Sequence, residues 1–180
     1  MYTLVITANN SPMMIRELMN ESMIELGAEL YSKGEALDEL IRLQKRGGMI
    51  EHPKVLKREV IERENRGNTA AGCRIAICDV MHSGSAKTAV SAVTIRDGVD
   101  YGAPDRRRVK LIFMIAGKSD SDEHKRVKEK LQKLLSDTTF TAQLCAAKSA
   151  DVFFKLIVDQ ERRFSHRYGR SKPLPYKSHY

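Results

Sequence analysis

Thr69-Ala-Ala-Gly-Cys-Arg-Ile-Ala-Ile-Cys-Asp-Val-Met-His82 is the stretch on which the fold turns. Gly67-Asn68-Thr69 reads as a turn leading into it, and Ile75-Ala76-Ile77 as a short buried strand. Cys78, Asp79 and His82 follow at once. Open α/β folds place their chemistry at such strand ends, so the titratable groups here are the first candidates for a site.

Upstream, Met1 to Thr7 reads as a strand, Ser11-Pro12 as a helix start running to Leu18, and Ser22 to Ala28 as a strand. Ser32-Lys33-Gly34-Glu35 fits a capping box, with Leu37, Leu40, Ile41 and Leu43 as the apolar face behind it and Gly47-Gly48 as its stop. Pro53 opens a helix with Val55, Leu56, Val60 and Ile61 as its buried side. Downstream, Ala89 to Ile95 reads as a strand, Asp97-Gly98 as a turn, and Val109 to Ala116 as the strongest strand, central to the sheet. Val127, Leu131, Leu134 and Leu135 mark another helix face. Asp137 caps a short helix through Leu144, and Ala150 or Asp151 starts the last one, with Val152, Phe153, Leu156 and Ile157. Strands interspersed with helices, without strict βαβ alternation, predict an α/β fold: a mixed β-sheet flanked by helices on both faces.

The 180 residues suit one domain with a real core. The longest apolar run, Val109 to Ala116, is too short to span a bilayer, and the first residues carry no secretion signal. No membrane insertion is expected. Three cysteines without a C-x-x-C spacing suggest reduced thiols in the cytoplasm and no structural zinc. The net charge of +8 points toward nucleic acid less than it first suggests. Six of its cations (Arg162, Arg163, Arg167, Arg170, Lys172 and Lys177) lie in a tail, residues 162–180, which holds no Asp or Glu. Nucleic acid would be touched only through that tail, read as a basic C-terminal extension over 161–180 behind a domain of residues 1–160.

Four segments in consistent order carry a resemblance: Arg63-Glu64-Asn65-Arg66-Gly67-Asn68-Thr69, Gly72 to Asp79, Gly98 to Asp105, and Val109 to Ala116. They are similar to R-E-x-x-G-[ST]-[ST], G-x-G-I-A-I-P-H, G-V-D-F-x-x-x-D and P-V-x-L-I-F-L-I-A of the fructose/mannitol-type enzyme IIA domain of the bacterial sugar phosphotransferase system, its nitrogen-regulatory relatives included. His124 stands where that family has a histidine opening a helix, and the likeness covers about residues 20 to 160.

The resemblance implies a cytoplasmic phosphocarrier that takes a phosphoryl group from the phosphocarrier HPr onto the histidine of I-A-I-P-H and passes it to a IIB domain, without a cofactor. A neutral ring nitrogen attacks phosphorus, while an arginine and a second histidine stabilise the equatorial oxygens. By position, Arg63 and His124 take those roles, and the Thr69 hydroxyl would donate to a phosphoryl oxygen. Here the motif's proline is Cys78 and its acceptor histidine is Asp79. Four readings follow. Phosphotransfer is lost and the fold serves as a regulatory module with a protein partner, Asp79 carrying part of a phosphohistidine's charge. Asp79 itself accepts phosphate as an acyl phosphate. His82 takes over as acceptor, if the loop folds back. Or Asp79, His82 and His124, with Cys78, hold a metal. The phosphotransferase class follows from the resemblance, and the residue at 79 argues against ordinary activity.

Overall fold

The computed structural model of the protein describes residues 14–85, 87–117 and 122–168. The expected strand at the N-terminus, the start of the first helix and the tail beyond residue 168 lie outside them.

Among the described residues five strands form one mixed sheet in the order β1-β4-β5-β3-β2: β1 Ile24–Ala28, β2 Ala70–Gly72, β3 Ile75–Met81, β4 Ala89–Val99 and β5 Val109–Gly117. β1 runs parallel to β4, and β3 parallel to β5, while β4–β5 and β2–β3 are antiparallel. β5 is the middle strand, as its apolar run predicts. The helices are α1 Lys33–Arg46, α2 Pro53–Asn65, α3 Asp122–Leu135, α4 Thr138–Ala146 and α5 Ala150–Tyr168. The expected α/β fold with helices on both faces is the one formed.

The period-two alternation of β3 divides its side chains between two cores. Ala76, Cys78 and Val80 join Leu37, Leu40, Ile41 and Leu43 of α1 and Leu56 and Val60 of α2. Ile75 and Ile77 join Leu131 and Leu134 of α3, Leu144 of α4, and Phe153 and Ile157 of α5. Phe113 and Phe153 meet at 6.1 Å between centroids in that second core, a spacing favourable to aromatic pairs. Asp79 is the next residue on the Ile75–Ile77 side, so its carboxylate faces α3.

Several local expectations change. β3 does not stop at Ile77 but continues to Met81, because β5 offers partners from Leu111 through Gly117. Cys78 and Asp79 therefore lie within the strand. Residues 21–23 form a 3-10 turn before β1, and among the described residues of the first expected helix 15–17 are helical, also as a 3-10 turn. Asp97-Gly98 is not a turn: β4 passes through it with a register shift. Gly98 has φ of +68°, and a Cβ there would stand 2.9 Å from the Val109 carbonyl, so the bulge requires glycine. Ile61 is exposed rather than buried, lying off the stripe that meets the core. Ser32 caps α1 by accepting from the Glu35 N–H at 3.2 Å, but the Glu35 carboxylate accepts from Tyr31 instead of closing the box. α5 runs unbroken past residue 160. Glu161 is fully buried and accepts from the Ile15 N–H at 2.7 Å, so the packed domain continues beyond that boundary.

Candidate functional site

Asp79 lies in a cleft of about 430 Å³, lined also by Arg63, Glu59, Arg66, Met81 and His124. Three side chains from two helices converge on its carboxylate. Arg63, on the last turn of α2, donates from Nη2 to Oδ1 at 2.8 Å. Its Nη1 donates to the Gly67 carbonyl at 3.0 Å, which fixes the guanidinium plane. Lys128 of α3 donates to Oδ2 at 2.9 Å. His124, one turn earlier on the same face of α3, places Nε2 3.9 Å from Oδ2, within ion-pair reach but beyond a hydrogen bond. Burial pushes the Asp79 carboxyl up, but the His124 ring, the Lys128 ammonium and the Arg63 guanidinium outweigh it and hold the carboxyl well below the usual carboxylate range. Asp79 is a fixed anion bound on both oxygens.

Arg63, Asp79 and His124 are thus brought together, as expected from their positions. Thr69 is not. Its hydroxyl points to the α1–α2 side, where it bonds the Glu64 carboxylate and lies 3.1 Å from the Tyr101 hydroxyl. Glu64 also pairs with Lys33 at 2.7 Å, and Lys33 stands 4.4 Å above the Tyr101 ring. Burial raises the Glu64 carboxyl, but the Lys33 and Thr69 partners outweigh it and hold it low. Thr69 therefore closes a buried polar network beside Arg63 rather than meeting a group in the cleft.

His82 does not stand ready as an acceptor either. The loop folds back, with Ser85 N–H donating to the His82 carbonyl, but it folds over the ring and leaves it with no exposure. Nδ1 lies 2.5 Å from Glu59 Oε2, and Glu59 also accepts from the Ser83 N–H and hydroxyl. The metal reading fares no better: among the described residues no three metal-binding side chains come together. Burial raises the Glu59 carboxyl, yet the His82 and Ser83 hydrogen bonds outweigh it and lower it. Glu59 is thus the clamp that holds this loop against α2. Glu59→Ala strips the acceptor from three donors and is expected to cost about 1–3 kcal/mol. Urea unfolding checks this, and an unchanged midpoint contradicts it.

Two residues of the site escape a sequence reading. Lys128 is four residues after His124, a spacing that puts both on one helix face. That signal is drowned by Lys125, Lys130 and Lys133 on the same helix. Glu59 has no signal at all, because its partner lies 23 residues away.

No helix among the described residues is long and apolar enough to cross a membrane. Residues 17–160 match the family described as "Phosphoenolpyruvate-dependent sugar phosphotransferase system, EIIA 2". The chain is 27% identical over 151 residues to the fructose-specific EIIABC component of the same system from Bacillus subtilis (strain 168). That match takes in 83% of this chain but only 24% of the relative's length. Among solved structures, the nitrogen regulatory protein IIA-Ntr of Neisseria meningitidis is similar at a TM-score of 0.73 and 27% identity, over 79% of this chain and 98% of that one. IIA mannitol of Escherichia coli is similar at 0.68 and 25%, over 77% and 98%, and has also been solved in complex with its phosphorylated IIB. The family match over four-fifths of the length and the mixed sheet shared with these solved structures agree, and the chain belongs to the EIIA 2 family of the phosphoenolpyruvate-dependent sugar phosphotransferase system.

Proposed function

We propose that this chain is an EIIA-type module that no longer carries phosphate and acts as a regulatory binding domain, with Asp79 standing permanently where the family's phosphorylated histidine would be. The observation that carries this is the engagement of both Asp79 oxygens by Arg63 and Lys128. Cations suited to an incoming phosphoryl group are already satisfied by an internal anion. A carboxylate so strongly held is also a weak nucleophile, since its lone pairs are committed and its basicity is low. The carboxylate supplies about −1 where a phosphohistidine would carry more, so the cleft resembles the phosphorylated state in sign and only partly in magnitude. The partner is a protein of the kind that reads a phosphorylated EIIA surface, a IIB domain or a regulatory target, in the cytoplasm where such partners work.

The test is incubation of the chain with enzyme I, HPr and labelled phosphoenolpyruvate. The expected result is no label above a control lacking HPr. Label that is stable in acid but lost to base and hydroxylamine means an acyl phosphate on Asp79, and overturns the proposal in favour of an active phosphocarrier. Label lost in acid and stable in base means phosphohistidine. It overturns the proposal too, and implicates His124 or an opened His82.

A further inference from the structure

The far end of the sheet holds a second cleft, of about 490 Å³, between the β2–β3 turn and α4. It begins one residue before β3, so Arg74 and Asp79 are separated along the strand by roughly 16 Å. We propose that this cleft binds a small organic phosphate, with Arg74, Arg107 and Lys110 taking the phosphoryl oxygens and Ile75, Ala142 and Ala146 bedding the carbon skeleton.

Three independent observations support it. The first is backbone geometry. β2 and β3 are joined by the two residues Cys73 and Arg74, with φ of +52° and +66°. A tight hairpin turn of this hand favours Gly or Asn, because a Cβ is disfavoured in the left-handed region. Arg74 falls on the second glycine of the resembled G-x-G pattern, so an arginine holds a left-handed position that glycine fills more readily. Strain of this kind points to use of the side chain.

The second is charge. In the Asp79 cleft Arg63 and Lys128 are paired with a carboxylate, and on α1 Lys33, Arg42 and Arg46 are. Among the described residues, no carboxylate lies within the 4.0 Å of an ion pair from Arg74 or Lys110. The nearby carboxylate, Asp105, spends its oxygens on the N–H groups of Cys73 at 2.8 Å and Arg107 at 3.1 Å. It shapes the turn and carries Arg107 to the rim. Two guanidinium forks and one ammonium, facing one space without a counter-charge on its wall, fit a phosphoryl group.

The third is enclosure. Lys110 is half-buried, and its N–H donates to the Arg74 carbonyl at 2.8 Å, so strand pairing brings the two cations together. Cys145 of α4 is exposed and lines the cleft. Burial raises that thiol, while the charges of Lys110 and Arg74 pull it the other way, which places both cations within electrostatic reach of it. The volume and the mixture of apolar floor with a few polar groups are those of a small-molecule site.

The test is calorimetric titration of the full chain with glucose 6-phosphate, phosphoenolpyruvate and 3-phosphoglycerate, beside inorganic phosphate and glucose. The variants are Arg74→Gly, which suits the turn and keeps the fold, and Lys110→Met. At least one organic phosphate is expected to bind saturably, at least tenfold tighter than inorganic phosphate, with glucose silent. Both variants weaken that binding tenfold or more, Arg74→Gly melts no lower than the parent, and the bound ligand slows alkylation of Cys145 by iodoacetamide. The proposal is overturned if all three organic phosphates fail to bind, if inorganic phosphate binds as tightly, or if Arg74→Gly binds unchanged. Loss of binding in Arg63→Ala with Arg74→Gly unaffected overturns it as well, since the ligand then occupies the Asp79 cleft.

Discussion

Asp79→Asn is expected to destabilise the protein by about 2–3 kcal/mol at neutral pH, although it changes the side chain by a single polar atom. The carboxylate accepts charge-assisted hydrogen bonds from Arg63 at 2.8 Å and Lys128 at 2.9 Å while largely withdrawn from water. Such bonds contribute about 1.5–3 kcal/mol each when broken one-sidedly, discounted here because Lys128 and Arg63 remain partly solvated. An amide keeps the shape but leaves two cations and the His124 ring facing one another. The effect must also depend on pH in one direction. The folded-state carboxyl is held below its unfolded value, so its stabilisation is fully present above about pH 4–5 and is lost as pH falls toward the depressed folded value. The gap between wild type and Asp79→Asn, measured by urea unfolding, is therefore expected to narrow between pH 4 and 2. Glu64 and Glu59, also held low, add acid sensitivity of the same sign to both proteins and cancel in the difference. A gap that widens between pH 4 and 2 contradicts the account.

Asp79→His is expected to turn the module into a phosphate acceptor, with label from phospho-HPr rising at least a hundredfold over wild type. The substitution removes the internal anion and leaves Arg63 and Lys128 without their carboxylate, facing the place where phosphoryl oxygens would arrive. Donors preorganised toward developing charge are worth roughly 10²–10³ in rate each. The adjacent cations also keep the new ring neutral, and so nucleophilic, by disfavouring its protonated form. The label should be lost in acid and stable in base, the signature of a phosphoramidate. If Asp79→His folds, shown by an unchanged far-ultraviolet circular dichroism spectrum, and still takes no label, then the defect lies elsewhere. Cys78 in the place of the motif's proline would be the next position to restore.

Much of this architecture is legible along the chain, for a physical reason in each case. The run Val109 to Ala116 can only be a strand buried on both faces, and it is the middle of the sheet. Ser32, Pro53 and Asp137 announce helix starts through local hydrogen bonding or a fixed φ, and each sits at the cap or first turn expected of it. The errors share a cause as well. Asp97-Gly98 has turn chemistry, yet β5 holds the strand through it. Ile61 is apolar at plausible helical spacing, yet only the rotation of its helix against the sheet decides which face is covered.

What the sequence by itself determined is the family, the order of elements and the candidates Arg63, Asp79 and His124, because these rest on local pattern and on spacing along strand and helix. What only the tertiary structure decided is which groups meet. It turned Thr69 away to Glu64 and Tyr101, sealed His82 against Glu59, and brought Lys128 from 49 residues off onto the Asp79 carboxylate. It also set Arg74, Lys110 and Cys145 around one cleft. The side of a strand a residue faces can be read from alternation, but what waits on that side is fixed by the packing of another helix, and no local pattern encodes that distance.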